Sequence, residues 1–163
     1  MKAQGFTHDD KNNVTHDWWT PKYIFDALGL TFDMDVAGPK GGVPWLPAKR
    51  TLTIDDDGLF VPWEGAVWCN PPYGKETGKW LERLHNHNNG IALVFARTDC
   101  RWFHDYCAKA DAILFLQGRI AFVDATNVTG GGGAGAGSML VAWGAVAKAA
   151  LNNCKLKGLM VNL

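Results

Sequence analysis

The chain has 163 residues, and its 16 Lys+Arg balance 16 Asp+Glu to a formal net charge of zero. That length suits one domain able to bury a core without disulfides or a structural metal. The balance excludes a polyanion coater that works by bulk charge, though not a nucleic-acid enzyme with a local cationic rim. Four cysteines without a C-x-x-C pair, no signal-like N-terminus and no bilayer-length apolar run lead us to expect a cytoplasmic protein with reduced thiols and no membrane attachment.

Residues 1–16 are polar and read as a flexible arm ahead of a single domain over 17–163. Thr20 as N-cap, Pro21 in the first helical position and Gly29 as the stop predict a short helix whose apolar face is Ile24, Phe25 and Leu28. Phe32 to Val36 alternates with period two before Ala37-Gly38-Pro39 breaks the run, which predicts a strand with Asp35 near its carboxyl end. Residues 38–65, rich in Gly, Pro and charge, are expected to be largely loop. Ala66-Val67-Trp68-Cys69 is wholly apolar, as in a strand covered on both faces.

Helical patterns over 77–87 and 101–110 then alternate with apolar strands at 91–96 and 112–116. This order predicts an α/β, Rossmann-like fold with a mostly parallel central sheet and helices on both faces. Arg119 to Val123 and Met139 to Trp143 read as two further strands with no helix between them, an antiparallel hairpin closing the sheet. An Ala-rich helix and an edge strand near Gly158–Val161 end the chain. His85 and His87 read as a solvated helix end, and no metal is expected.

Asn70-Pro71-Pro72-Tyr73 directly follows a buried strand. Open α/β sheets bind ligands at the carboxyl ends of their strands, so the tetrad stands where a site belongs. Asn70 offers a side-chain carbonyl and Pro71 a backbone carbonyl, and the proline rings stiffen both. Two acceptors converging on one NH2 group polarise that nitrogen as it attacks an electrophile and builds positive charge. Tyr73 offers a flat face to a planar substrate. An ordinary Asn-Pro turn is the plainer alternative.

The tetrad belongs to an ordered series. Trp18-x-Thr20-Pro21, Phe32-Asp33-x-Asp35-x-Ala37, Asp57-Gly58-Leu59 and Trp63 precede it. Arg97-Thr98-Asp99-x-x-Trp102-Phe103-His104 and Phe115-Leu116-x-Gly118-Arg119-Ile120-x-Phe122 follow it. The series resembles the small phage-encoded DNA N6-adenine methyltransferases, the phage Dam family, from about residue 17 to about 144. The resemblance implies S-adenosylmethionine as methyl donor and a flipped adenine in double-stranded DNA as acceptor. Asn70, Pro71, Pro72 and Tyr73 match the catalytic motif, the first two accepting from the adenine amino group and Tyr73 stacking on the base. Trp19, Thr20 and Pro21 match the segment beside the cofactor's methionine end. Asp35 and Ala37 match the acidic first cofactor motif. Asp57, Gly58 and Leu59 match the later one, where the Asp accepts from the cofactor's adenine. Phe122 matches a second aromatic against the flipped base.

There are departures from the family pattern. The Gly-rich cofactor loop is reduced to Ala37-Gly38-Pro39 and Gly41-Gly42, and two strands of the full sheet are expected to be missing between Asp35 and Asp57, a truncated methyltransferase fold. Asp33, Asp55 and Asp56 therefore stay open as ribose-binding carboxylates.

Arg97 and Arg119, with Arg101, Lys75 and Lys79, are the candidate phosphate contacts on the rim, against a reading as scattered surface charge. The run Gly130 to Gly137 matches a dinucleotide fingerprint only trivially; it reads as a flexible connector or a loop on the substrate rim. Only residues 38–65 and 123–138 offer length for target recognition, which predicts a short target sequence or a partner subunit such as a second copy in a homodimer. The same tetrad chemistry also serves exocyclic amines of RNA and glutamine side chains of proteins, and a catalytically inactive DNA-binding relative is a third reading. Trp18, Trp19, Trp63 and Trp68 flank motif residues and are expected to line part of the pocket.

Overall fold

The computed structural model describes residues 18–125 and 134–163. The arm at 1–16 and Gly130–Gly133 lie outside the described residues. In chain order the elements are α1 (Lys22–Leu28), β1 (Phe32–Asp35), β2 (Ala48–Thr51), β3 (Val67–Cys69) and α2 (Thr77–His87). There follow β4 (Gly90–Phe95), α3 (Arg101–Asp105), β5 (Ala112–Leu116), β6 (Ser138–Trp143), α4 (Ala145–Asn153) and β7 (Gly158–Asn162). A short 3-10 turn, Cys107–Lys109, extends α3.

The strands form one sheet in the order β2-β1-β3-β4-β6-β5-β7. β2, β1, β3 and β4 pair in parallel, while β6 runs antiparallel to both β4 and β5, and β7 antiparallel to β5. The fold is therefore mixed α/β, parallel in the centre and antiparallel toward one edge, as the alternation of elements predicts.

Two expectations about its strands need correcting. β2 lies inside the segment read as loop. Its burial is poor and its Lys49 and Arg50 are exposed, so it has no apolar run to betray it. The closing hairpin does not pair residues 119–123 with 139–143. Val123 makes one isolated bridge to Trp19, and β6 instead fills the slot between β4 and β5. All six residues of β6 and of β4 are buried, and two buried strands flanking a vacant place in a sheet have their unpaired backbone groups satisfied by a third.

The sheet separates two apolar layers. On one face Ile24, Phe25 and Leu28 of α1 and Ala147, Ala150 and Leu151 of α4 pack on Trp68, Ile91, Leu93 and Leu140. On the other, Trp80, Leu81 and Leu84 of α2 pack on Met34, Val67, Ala92, Val94 and Val141. Trp68 is thus core, in edge contact with Phe25 at 4.8 Å, and does not line a pocket. α1 stops where predicted: Gly29 adopts a left-handed φ of 63° and its N–H returns to the Phe25 carbonyl. Its start differs, because Pro21 is the cap and Thr20 makes no side-chain cap bond. His85 is not merely solvated; its Nδ1 accepts from the buried Trp143 indole at 3.2 Å.

Candidate active site

The carboxyl ends of β1, β3 and β4 lie side by side, because these strands are parallel neighbours in the sheet. β3 delivers the tetrad. Thr77, in the first turn of α2, donates its Oγ1–H to the Pro72 carbonyl at 2.8 Å. That bond occupies the Pro72 carbonyl, so among the described residues it is the Pro71 carbonyl that carries no such clamp. Asn70 is half-buried, and its Nδ2 donates to the Trp18 carbonyl at 3.5 Å. The Tyr73 hydroxyl donates to Asn70 Oδ1 at the same distance. The Tyr73 ring lies flat on Phe95, with centroids 4.3 Å apart and planes 9° from parallel. Tyr73 as a residue remains 41% exposed, and Phe95 forms a floor beneath its ring. Burial, assisted by neighbouring Cys69, holds the Tyr73 hydroxyl protonated well above its ordinary range.

β1 delivers Asp35, only 2% exposed. Its Oδ1 accepts from the Ala37 N–H at 3.3 Å. Burial raises its pKa to about 7, and that one backbone donor offsets the cost only in part. Gly38 passes directly over it: a Cβ there would stand 2.5 Å from Asp35 Oδ2 and 2.3 Å from Thr51 Cγ2. Cys69 sits close enough for the Asp35 charge to raise a thiol already raised by complete burial.

Asp57 takes a left-handed φ of 54°, and its carbonyl accepts the N–H groups of Phe60 and Val61. Gly58 is buried against β1's continuation, where a Cβ would be 2.3 Å from the Val36 carbonyl and 2.7 Å from the Trp80 ring. Trp63 Nε1 donates to the Gly58 carbonyl at 2.8 Å, and Arg83 Nη1 to the same oxygen at 2.9 Å. Arg83 Nη2 also donates to the Val61 carbonyl. Leu59 packs against the α2 side of the core.

The segment before α1 closes the site's other flank. Trp19 exchanges backbone hydrogen bonds with Val123 and meets Trp45 edge-on at 5.6 Å. Trp45 Nε1 donates to the Thr20 carbonyl at 2.8 Å. Thr20 Oγ1 and Trp19 Nε1 are buried with no partner among the described residues, the kind of orphaned polar atoms that a ligand satisfies.

These bonds join the tetrad to the Trp18–Pro21 segment, and bring Asp35, Ala37 and the Asp57–Leu59 loop to the end of β1. Three predicted residues fall elsewhere or are otherwise engaged. Asp33 points away, its carboxylate bound to the Ala66 N–H and Lys49 near the start of β3. Phe122 is 9% exposed and packs in the α1-side core. Arg119 Nη1 donates to the Ala134 carbonyl at 3.1 Å, so this cation straps a loop. Arg97 is exposed beside the tyrosine shelf, its guanidinium carbon 6.0 Å from the Phe95 ring centroid. Phe95, Thr77 and Arg83 escape a reading of the sequence: each acts on a partner that only the fold brings near.

A family model described as DNA N-6-adenine-methyltransferase (Dam) matches residues 7–155. The chain belongs to this family. Membership covers the tetrad, both aspartate motifs and every strand except β7. DNA is the substrate and adenine N6 the position that the family's description names. No curated protein and no solved structure matches the chain. Among the described residues, no helix is long and apolar enough to cross a membrane.

Proposed function

We propose that the protein transfers a methyl group from S-adenosylmethionine to the N6 amino group of an adenine flipped out of double-stranded DNA. The observation that carries this reading is the tetrad: Asn70 and Pro71 at the carboxyl end of a parallel strand, with Pro72 tied back by Thr77 and Tyr73 laid flat on Phe95.

The residues at the end of β1 fit the cofactor. The orphaned Thr20 Oγ1 and Trp19 Nε1 offer polar contacts to its methionine end. Asp35 offers a buried carboxylate to an ammonium or hydroxyl group, and Asp57 an acceptor to its adenine. Gly38 and Gly58 let the backbone of their loops pack directly on Asp35 and on the Val36 carbonyl, an approach that any side chain would prevent. Bound there, the cofactor supplies an electrophilic methyl group.

The chain's own residues do the rest. The Asn70 Oδ1 and Pro71 carbonyl accept hydrogen bonds from the two N6–H groups, raising the electron density on the nitrogen that attacks. The nitrogen gains positive charge as it attacks, and two fixed dipoles stabilise that charge more strongly than they stabilise the neutral amine. The alkylated nitrogen then loses a proton readily, so no strong base is needed. Tyr73 supplies a stacking face that offsets part of the few kcal/mol spent on extruding the base. Arg97 stands beside that shelf as a phosphate contact. The family resemblance extends this reading to a phage-encoded enzyme acting in the bacterial cytoplasm, alone or as a homodimer, to protect viral DNA.

Incubation of the purified protein with labelled S-adenosylmethionine and unmethylated duplex DNA is expected to yield labelled N6-methyladenine. Label found only in RNA or in protein overturns the proposal. Base-resolution sequencing of the modified DNA reads the target sequence from the same reaction.

A further inference from the structure

Helix α2 touches both halves of the site. Its first turn holds the Pro72 carbonyl through Thr77, and its second turn carries Arg83. The Arg83 guanidinium lies over the Trp63 ring, 4.6 Å from the centroid, and Trp63 stacks on Trp80 at 6.3 Å. From that position it donates to two carbonyls of one loop, those of Gly58 and Val61. The Gly58 carbonyl thereby accepts from Arg83 and Trp63 together, while Trp80 blocks the space where a Gly58 side chain would stand. Two charge-assisted bonds from one planar fork fix orientation as well as position. Asp57 opens this loop in a left-handed conformation that non-glycine residues adopt rarely. Asp57 is also near enough for its charge to favour the guanidinium's ionised form, against the partial burial that disfavours it.

We propose that Arg83 is a positioning residue that holds Asp57 in its left-handed, outward-facing conformation, and so sets the affinity of the subsite for the cofactor's adenine. The inference rests on the reading of the Asp57–Leu59 loop as that subsite. It makes α2 a shared strut, one end bearing on the catalytic tetrad and the other on the cofactor loop. A lysine at 83 keeps the charge but cannot present two parallel donors or lie flat on the indole.

The test measures S-adenosylmethionine binding by calorimetry and steady-state methylation of duplex DNA. It uses the full chain and its Arg83→Gln, Arg83→Lys and Asp57→Asn variants, with circular dichroism to confirm folding. Arg83→Gln is expected to weaken cofactor affinity about tenfold, the loss of a charged donor pair. Its kcat at saturating cofactor and its KM for DNA are expected to stay within about twofold of the parent. Arg83→Lys is expected to fall between the two and serves if the glutamine variant does not fold. Combining Arg83→Gln with Asp57→Asn is expected to cost less than the sum of the single changes, since one acts through the other.

Parent-like affinity in the folded Arg83 variants, with Asp57→Asn weakened, overturns the role of Arg83 alone. Parent-like affinity in Asp57→Asn overturns the reading of the loop, and the role of Arg83 with it. A parallel fall in kcat, cofactor affinity and DNA affinity marks a merely structural residue and also overturns the proposal.

Discussion

The Asn70–Tyr73 tetrad and the Asp57–Leu59 loop flank the same end of the sheet, yet different kinds of force hold them. The tetrad is rigid by its own covalent structure. Two prolines fix its backbone, and the Thr77 bond that ties it spans only five residues. The loop has no proline between Asp55 and Val61 and contains a strained aspartate. Its shape comes from outside, from Trp63, Trp80 and Arg83. The tetrad leans on α2 through one short bond, whereas the loop takes its whole shape from α2 and its aromatic neighbours.

Substitutions separate the two regions. Asn70→Ala carries the largest expected effect. Methylation falls by at least about 10²–10³-fold, the usual cost of removing one preorganised group facing transition-state charge. Cofactor affinity measured by calorimetry stays nearly unchanged, because the tetrad does not shape the loop.

Asp35 comes next, as a pH effect on stability. Its pKa of about 7 in the folded chain stands above the ordinary 3.8. The folded state therefore holds a proton that the unfolded state has released between those values. Stability contributed by this group is complete below about pH 4, declines as pH rises to about 7, and is gone above it. The full span is about 4 kcal/mol at most. Denaturant titrations across pH 4–8 are expected to show this decline, and Asp35→Asn is expected to flatten it. Cofactor is expected to oppose it by releasing the proton when an ammonium group meets the carboxylate.

Gly58→Ala probes the loop. Its added methyl collides with a backbone carbonyl and an indole, which costs about 1–3 kcal/mol of stability. Cofactor affinity is expected to fall several-fold, with kcat preserved at saturation. Thr77→Val, the mildest change, removes the part-buried hydrogen bond to the Pro72 carbonyl at about 1 kcal/mol. It is expected to lower kcat a few-fold without altering cofactor affinity, the mirror image of Gly58→Ala.

The same contrast explains what could be read from the residues in order. Helix α2 and the strands at β1, β3, β4, β5 and β6 announce themselves through apolar runs and helical spacing. The tetrad is legible because its chemistry is contiguous. β2 is not, because an edge strand with Lys49 and Arg50 exposed has no apolar pattern. The place of β6 between β4 and β5 cannot be read from chain order, which brings Arg119–Val123 first. Arg83 lies 25 residues from Gly58, and Phe95 joins Tyr73 across a whole helix. Phe122 matches a motif yet points into the core, where the Trp19–Val123 bridge anchors its neighbour.

The late arrival of β6 has a consequence for how the protein is made. Among the described strands β6 alone joins β4 to β5, so the sheet stays in two pieces until residues 138–143 emerge. Until then two strands rich in Ile, Leu, Val and Phe expose open edges, a hazard for aggregation during synthesis. Phe95 pairs with Ser138 at the last rung of β4. The floor under Tyr73 is thus secured by one of the last strands to be synthesised, and a nascent chain displaying the complete tetrad has yet to acquire the surface on which its tyrosine rests.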